Sequence, residues 1–423
     1  MSNFDSAIST PISSSASFSY SSSKEAEDIF SGNCSKPLYS RMGNPTTTVL
    51  ESKMTELENG IGAVATSSGM GAITMSIMSL CSSGDEVLAI GGLFGGSYAL
   101  LSQTLPRYDI QTKFFDASDL KNLEKNITDK TKVIFCESVG NPNLRLVDLE
   151  AIGKIATKYN IAFIVDNTIT PKIIQPLKSG ADIVVYSTTK IISGNSSALG
   201  GIAVFREIKD KDKFKTSRYS FLNPFISKLG AKALIGASKK RILRDFGMSA
   251  NANASYHTLL GLETLDLRNE RVNKSCEIIA SNIQKAGLNV NHPSLSVNCD
   301  NTLYKTNYKN GCGTIITIDM GTKEKAFKFL DNTKLLTLTA NIGDSRTLAL
   351  HMASTIYSDF KSEEKDFLGI TDGLIRLSIG LEDPQDLIDD LSKALYRSQK
   401  WLWLWCAKNL AAIGHIGSSK FRN

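Results

Sequence analysis

Short apolar runs alternate with amphipathic stretches along the first 245 residues, and this alternation limits the possible folds more than any other feature. The runs "EVLAIGG", "VIFCESVG", "IAFIVDNT", "DIVVYSTTK" and "GGIAVF" are rich in apolar residues, as are strands that are buried on both faces. The stretch "VDLEAIGKIATKYN" has helical periodicity and separates the second run from the third. Strands that alternate with helices predict an α/β fold with a mostly parallel central sheet and helices on both of its faces.

Composition divides the chain into four predicted parts. Residues 1–45 begin with a serine-rich stretch and are expected to form an extended arm, and residues 46–245 form the large domain. Residues 246–400 combine a long predicted helix, "ASYHTLLGLETLDLRNERVNKSCEIIASNIQKAG", with the strands "GTIITIDM" and "LIRLSIGLE", which indicates a smaller α+β domain. Residues 401–423 hold all three tryptophans in a stretch too short and too broken to span a membrane. We predict no role for this tryptophan-rich tail.

Composition also disfavours several classes of function. The formal charge of +6 is small for 423 residues, and the most basic segment, "SKKRILR", is short, so we expect no nucleic-acid partner. Seven scattered cysteines without a C-x-x-C pair are typical of a reducing compartment. The four histidines have no metal-ligand spacing, and no signal peptide is recognisable. The expectation is a cytoplasmic protein that binds no metal and no membrane.

Polar residues follow three of the predicted strands. Glu137 and Asn141 come at the end of "VIFCESVGN", Asp166 ends "IAFIVD", and Lys190 follows "DIVVYSTT". Ligands in open α/β sheets bind beyond the carboxyl ends of the strands. An unpaired ammonium is costly to bury, so Lys190 either emerges into solvent or belongs to a site that uses it. The turn "TSSGMG" opens a predicted helix, whose first N–H groups favour an anion.

This combination matches the requirements of pyridoxal phosphate. The cofactor needs a lysine for its Schiff base and an acidic partner for its pyridine nitrogen, and the turn before the helix would hold its phosphate. Taken singly, Lys190 could be a surface lysine and Asp166 a turn or cap residue. Their joint order at the ends of strands and helices makes coincidence improbable. A nucleotide-binding dehydrogenase is disfavoured because no G-x-G-x-x-G follows the first strand.

The chain resembles the Cys/Met-metabolism family of pyridoxal phosphate enzymes, and within it the O-acetylhomoserine sulfhydrylases. The segments that carry the resemblance are "YSRMGNPTT", "TSSGMGAI", "ESVGNPN", "VDNT", "YSTTKIISGNSSALGG", "NIGDSRTLALHMAST" and "LIRLSIGLEDPQDLI". The resemblance implies the aspartate-aminotransferase-like fold, fold-type I. It also implies γ-replacement on O-acetyl-L-homoserine by sulfide or methanethiol, which gives homocysteine or methionine and acetate. The alternatives on the same fold are cystathionine or methionine γ-lyase activity and a cystathionine γ-synthase-type activity.

The resemblance also implies roles for individual residues. Lys190 would form the Schiff base and move protons, Asp166 would pair with the pyridine nitrogen, and Phe94 would stack on the ring. Arg376, Asn141 and Asn341 are expected at the substrate. The other cofactor-binding residues would be Ser68, Gly69, Met70, Ser187, Thr189 and Asn141, together with Tyr39 and Arg41 from a neighbouring subunit. A site shared between subunits implies a dimer, and the family suggests a homotetramer built from two such dimers.

Four positions depart from the family pattern. Phe94 stands where many members have tyrosine, and Gly96 where methionine γ-lyases typically carry a cysteine. Ala340 stands where enzymes that handle cystathionine tend to have an acid, and Met352 where proline is usual. Phe94 keeps the stacking but lacks a phenol that could protonate a departing thiolate, whereas acetate needs little acid help. The first three departures therefore favour replacement over elimination.

Overall fold

The computed structural model describes residues 7–34 and 36–398, so the predicted tryptophan-rich tail lies outside the described residues. The helices are α1 Ser23–Ser31, α2 Pro45–Glu58, α3 Gly69–Leu80, α4 Gly95–Ala99, α5 Leu120–Lys125, α6 Leu149–Lys158, α7 Asn223–Leu229, α8 Ala233–Ser238, α9 Arg244–Phe246, α10 Ala252–Leu262, α11 Leu265–Lys285, α12 Asn301–Asn307, α13 Lys323–Asp331, α14 Ser362–Leu368 and α15 Pro384–Ser398. The strands are β1 Gly62–Thr66, β2 Glu86–Ile90, β3 Gln111–Phe115, β4 Thr131–Glu137, β5 Ala162–Asp166, β6 Ile183–Tyr186, β7 Gly201–Phe205, β8 Asn289–Asn291, β9 Ile315–Asp319, β10 Thr337–Leu338, β11 Leu348–His351 and β12 Leu374–Ser378.

The central sheet has seven strands in the order β1-β7-β6-β5-β4-β2-β3. Strand β7 is antiparallel to both of its neighbours, and the other pairs are parallel, so the predicted mostly parallel sheet is confirmed. Strands β1 and β3 of this sheet were not predicted from the sequence. Strand β1 consists largely of glycine and alanine, which have low strand propensity. Edge strand β3 has only one fully buried residue, Phe115, so it does not read as an apolar run.

Helices cover both faces of this sheet and bury its apolar residues. On one face α3 packs against the sheet through Ala72, Met75 and Ile77. On the other face α6 buries Ile152 and Ala156 at helical spacing, together with residues of α2. Large-to-small substitutions at such fully buried positions cost about 2–5 kcal/mol. The two layers hold the carboxyl ends of β4, β5 and β6 rigidly at one edge.

A second, smaller sheet has the strand order β10-β11-β12-β9-β8. It packs against α11, α13 and α15 through an apolar core of its own, as expected for an α+β unit. The single long helix predicted for this region is instead two helices, α10 and α11. Arg268 Nη2 donates to the carbonyl oxygen of Gly261 at 2.7 Å, and a Cβ at Gly261 would lie 2.4 Å from the carbonyl oxygen of Ile192. The helix is therefore interrupted where it meets the chain that follows Lys190.

The N-terminal arm is not extended throughout. Residues 23–31 form helix α1, which begins after the N-cap Ser22 and ends at Gly32 with φ of 84°. The segment "KEAEDIF" contains good helix formers, and Ile29 is buried, so the expectation of an extended arm is wrong for these residues. Among the residues that the structure describes, no helix is both long and apolar enough to cross a membrane.

Candidate active site

The carboxyl ends of β4, β5 and β6 open onto a cavity of about 240 Å³. Ten of the thirteen predicted site residues line it: Ser68, Gly69, Met70, Phe94, Asn141, Asp166, Ser187, Thr189, Lys190 and Arg376. Most of these residues come from the loops that follow parallel strands, and Arg376 comes from β12 of the second sheet. The cavity is thus closed by both sheets.

The start of α3 forms an anion-binding cup. Ser68 is the N-cap, and its Oγ accepts the N–H of Gly71 at 3.1 Å, while the first N–H groups of a helix, here those of Gly69 and Met70, have no intrahelical partner. A Cβ at Gly69 would lie only 2.5 Å from Ser187 Cβ. Glycine therefore lets the helix start approach the strand end closely. The N–H groups, the helix dipole and the nearby Ser187 hydroxyl suit a phosphate.

Asp166 places a carboxylate oxygen in the same cavity. Its Oδ1 accepts hydrogen bonds from Thr168 N at 2.9 Å and Thr168 Oγ1 at 2.6 Å. Burial raises the Asp166 pKa to about 6, and the two bonds from Thr168 oppose this rise. Because both of these bonds go to Oδ1, Oδ2 remains available for a cationic partner. The donor set therefore fits pyridoxal phosphate, with the phosphate at the α3 cup and the pyridine nitrogen at Asp166.

Glu137 lies at the end of a predicted strand but was not among the predicted site residues. It lies opposite Asp166 on the neighbouring strand and lines the cavity. Burial, together with the negative charge of Asp166, raises its pKa well above the usual range. Its Oε1 accepts the backbone N–H of Phe94 at 2.7 Å. The sequence feature that could have identified Glu137 as a site residue is its position at the end of β4, which is equivalent to that of Asp166 at the end of β5.

Lys190 enters the cavity with its amine held by a neutral partner. Its Nζ donates to Asn341 Oδ1 at 2.6 Å, and Asn341 Nδ2 donates in turn to Ser196 Oγ at 2.9 Å. Burial and, secondarily, the charge of Arg376 lower the Lys190 pKa to about 8. Asn341, expected at the substrate, does not itself line the cavity but contacts the lysine that does.

Arg376 is a buried cation without a carboxylate partner among the described residues. The residue as a whole is only 2% exposed. Nη1 donates to Asn141 Oδ1 at 3.0 Å, and Nη2 donates to the carbonyl oxygens of Ala340 and Asn341, both at 3.3 Å. Burial lowers the Arg376 pKa to about 10. Such a charge is costly without a counter-ion, so the arrangement favours an anionic ligand.

The structure does not bring Tyr39 and Arg41 into the cavity of their own chain. Tyr39 is 44% exposed. Arg41 Nη1 donates to the carbonyl of Arg244 at 2.8 Å, and the Arg41 guanidinium lies 5.6 Å from the ring centre of Tyr39. The expectation that these two residues act in a neighbouring subunit stays a prediction.

Five aliphatic residues of the cavity wall were not predicted. The residues concerned are Ile73, Val139, Ile169, Leu199 and Ile342. Val139 and Ile169 follow the ends of β4 and β5 just as the polar site residues do, so their positions carried a signal. Apolar residues at such places are too common for the pattern alone to single them out.

The chain is similar to known proteins over most of its length. Residues 2–396 match the family described as Cys/Met metabolism PLP-dependent enzyme. The chain is 36% identical to an O-acetyl-L-homoserine sulfhydrylase of Leptospira meyeri over 85% of each chain. It is 35% identical to an L-methionine gamma-lyase of Fusobacterium nucleatum subsp. polymorphum, over 92% of this chain and 93% of that one. It is also 35% identical to a homocysteine synthase of Schizosaccharomyces pombe, over 85% of this chain and 86% of the other.

The fold is also shared with a solved structure. A protein of Campylobacter jejuni assigned as an O-acetylhomoserine (thiol)-lyase superposes with a TM-score of 0.87 at 36% identity, over 93% of this chain and 96% of that one. That structure carries a pyridoxyl-lysine residue. The predicted aspartate-aminotransferase-like fold and the predicted cofactor are thereby confirmed. The chain belongs to the Cys/Met-metabolism family of pyridoxal phosphate-dependent enzymes.

Proposed function

We propose that the protein replaces the acetate group of O-acetyl-L-homoserine with sulfide or methanethiol, and so forms homocysteine or methionine and releases acetate. The observation that supports this best is the buried Arg376 guanidinium, which shares one cavity with Lys190 and Asp166 and has no carboxylate partner among the described residues. An amino acid supplies the missing carboxylate. Arginine can bind it through two parallel hydrogen bonds, which lysine cannot do.

Each polar residue then has a task. Arg376 and Asn141 hold the substrate carboxylate, Asp166 holds the pyridine nitrogen, and the start of α3 holds the phosphate. When bound, pyridoxal phosphate acts as an electron sink for charge that develops at the substrate α-carbon. Lys190 would hold the cofactor through its aldehyde carbon, and its amine would move protons at the substrate α- and β-carbons. A lysine pKa of about 8 suits this role, since both protonation states are accessible near neutral pH.

Two residues at the cavity favour replacement over elimination. Phe94 provides an aromatic face without an acidic proton, and Ala340 provides no carboxylate that could bind the second amino group of cystathionine. Acetate leaves readily without an acid, whereas a thiolate leaving group needs one. A γ-lyase remains the second candidate, because an L-methionine gamma-lyase is as similar to this chain as a homocysteine synthase is.

We further propose that the active unit is a dimer with shared sites, assembled in pairs into a homotetramer. The exposure of Tyr39 and the position of Arg41 outside its own cavity support this arrangement. We also propose a cytoplasmic location. The six cysteines among the described residues are all free thiols, as is usual in a reducing compartment.

Product analysis of the purified holoenzyme tests the reaction. Given O-acetylhomoserine and sulfide, it should form homocysteine and acetate in equal amounts, and without sulfide it should release little 2-oxobutanoate and ammonia. Lys190→Ala is the control and should be inactive. If 2-oxobutanoate forms faster than homocysteine with sulfide present, the protein is a lyase. A protein that shows no visible absorption band after pyridoxal phosphate is added and the unbound cofactor is removed would contradict the proposed roles of Lys190 and Asp166.

A further inference from the structure

Tyr357 is a fully buried tyrosine that stands behind the active site without lining it. It has no exposed surface, and it is absent from the cavity wall. Its hydroxyl donates to the carbonyl oxygen of Asn141 at 3.1 Å, and its ring packs against the backbone of Gly95. Burial raises the Tyr357 pKa above its usual range, so the hydroxyl keeps its proton and remains a donor. One side chain therefore contacts two segments of the large domain, Asn141 through its hydroxyl and Gly95 through its ring.

These two segments carry residues that face the ligand. Gly95 follows Phe94, whose ring lines the cavity, and the Asn141 side chain accepts a hydrogen bond from Arg376 Nη1 at 3.0 Å. The contact at Gly95 is close, since a Cβ there would lie 3.1 Å from Tyr357 Cε1. A shift of Tyr357 would therefore change the position of Asn141 relative to Arg376.

Tyr357 reaches this place on a turn tied to the strand that carries Arg376. The turn follows β11 and starts at Met352, whose backbone N–H donates to the carbonyl of Leu374 on β12 at 2.9 Å. Proline has no N–H and could not make this bond. The departure from proline at Met352 thus adds a tie between the Tyr357 turn and the strand of Arg376.

We propose that Tyr357 is a positioning residue that holds Asn141 beside Arg376 and thereby determines how strongly the site prefers ligands with a carboxylate. The inference rests on the proposed roles of Arg376 and Asn141 in binding the substrate carboxylate. Tyr357 does not line the cavity, so its effect must pass through the Asn141 carbonyl and through its packing against Gly95. Loss of the hydroxyl should weaken the carboxylate contact more than the rest of the site.

The test compares L-norleucine with n-pentylamine, which has the same amine and alkyl chain but no carboxylate. Each is titrated into the holoenzyme, and the change in visible absorption gives a dissociation constant. In Tyr357→Phe, the dissociation constant of pentylamine divided by that of norleucine should fall by about fivefold. This is the change expected when about one buried hydrogen bond is lost. Tyr219→Phe is the matched control, because Tyr219 is also fully buried and its hydroxyl is also bonded to backbone groups, accepting an N–H and donating to a carbonyl. Those partners, Ala162 and Lys132, lie at the opposite ends of their strands, far from the cavity.

The possible outcomes separate the two proposals. If the wild-type protein does not distinguish norleucine from pentylamine, the carboxylate role of Arg376 is wrong. If the wild-type protein does distinguish them and Tyr357→Phe distinguishes them equally well, the positioning role of Tyr357 is wrong. An equal loss in Tyr219→Phe would also overturn it, since the effect would then be general loosening. Gly95→Ala, whose Cβ would lie 3.1 Å from Tyr357 Cε1 and so displace the ring, should reproduce the loss and replaces Tyr357→Phe if that variant does not fold.

Discussion

The ring of Phe94 packs against Gly96, so that a Cβ at residue 96 would lie only 2.7 Å from Phe94 Cε1 and 3.1 Å from Met70 Sδ. The cysteine that the family resemblance associates with methionine γ-lyases at this position therefore has no room while Phe94 keeps its place. Two departures that looked independent in the sequence are one packing arrangement. A substitution at either residue should therefore alter the packing of the other.

Gly96→Ala should destabilise the cofactor-free protein by about 1–3 kcal/mol, the usual effect of overpacking. In a Phe94→Ala background the same change should cost clearly less, because the nearer of the two atoms that the new Cβ would meet, Phe94 Cε1, is gone. A double-mutant cycle on the free energy of unfolding measures this coupling, which should reach at least about 0.5 kcal/mol. Additive effects in the cycle would show that Phe94 and Gly96 are not coupled.

Phe94→Tyr should raise the lyase side activity. The added phenol provides an acid for a departing thiolate, so release of 2-oxobutanoate from methionine should increase, while acetate release from O-acetylhomoserine should change little. Phe94→Leu serves as a control, since it removes the aromatic face without adding an acid. If 2-oxobutanoate release is unchanged in Phe94→Tyr, protonation of the leaving group does not limit elimination.

The parts of the site that were predicted from the sequence lie where chain order and spatial order coincide. Asp166 and Lys190 directly follow buried strands, and parallel strands bring their carboxyl ends to one edge, so their meeting could be inferred. The Tyr357 hydroxyl bond to Asn141 could not, since it spans 216 residues and depends on how the two sheets pack. Strand β1 was missed for a related reason: glycine and alanine pack there because space is short, and packing space is not visible in a propensity pattern.

Lys190→Met should stabilise the cofactor-free protein at neutral pH. The folded-state pKa of Lys190 is lowered to about 8 from 10.5, so below pH 8 the folded protein holds a proton that burial disfavours. The variant should gain about 2–3 kcal/mol there. Between pH 8 and 10.5 the unfolded chain binds more protons than the folded one, so wild-type stability rises with pH and the difference should shrink. Unfolding midpoints of both proteins at pH 7, 8, 9 and 10 report this stability difference. A difference that does not vary with pH would contradict the lowered pKa of Lys190.

Subunit mixing should show whether Arg41 acts across an interface. Arg41→Ala should weaken cofactor retention, and Lys190→Ala should be inactive. In a mixed dimer, the site with Lys190 from one subunit and Arg41 from the other is intact, and the second site lacks both residues. An equal mixture with free exchange should therefore recover up to about a quarter of the wild-type activity, because about half of the symmetric dimers are mixed and each has one intact site.

A second mixture provides the matched control for this experiment. Lys190 and Arg376 line the same cavity of one chain, so a mixture of Lys190→Ala and Arg376→Ala subunits contains no intact site in any dimer. It should recover no activity even when differently tagged subunits demonstrably exchange. If the Arg41→Ala and Lys190→Ala mixture stays equally inactive under the same exchange, Arg41 does not complete a neighbour's site. The contribution of Arg41 would then be limited to its own chain, where it contacts the carbonyl of Arg244 and the ring of Tyr39.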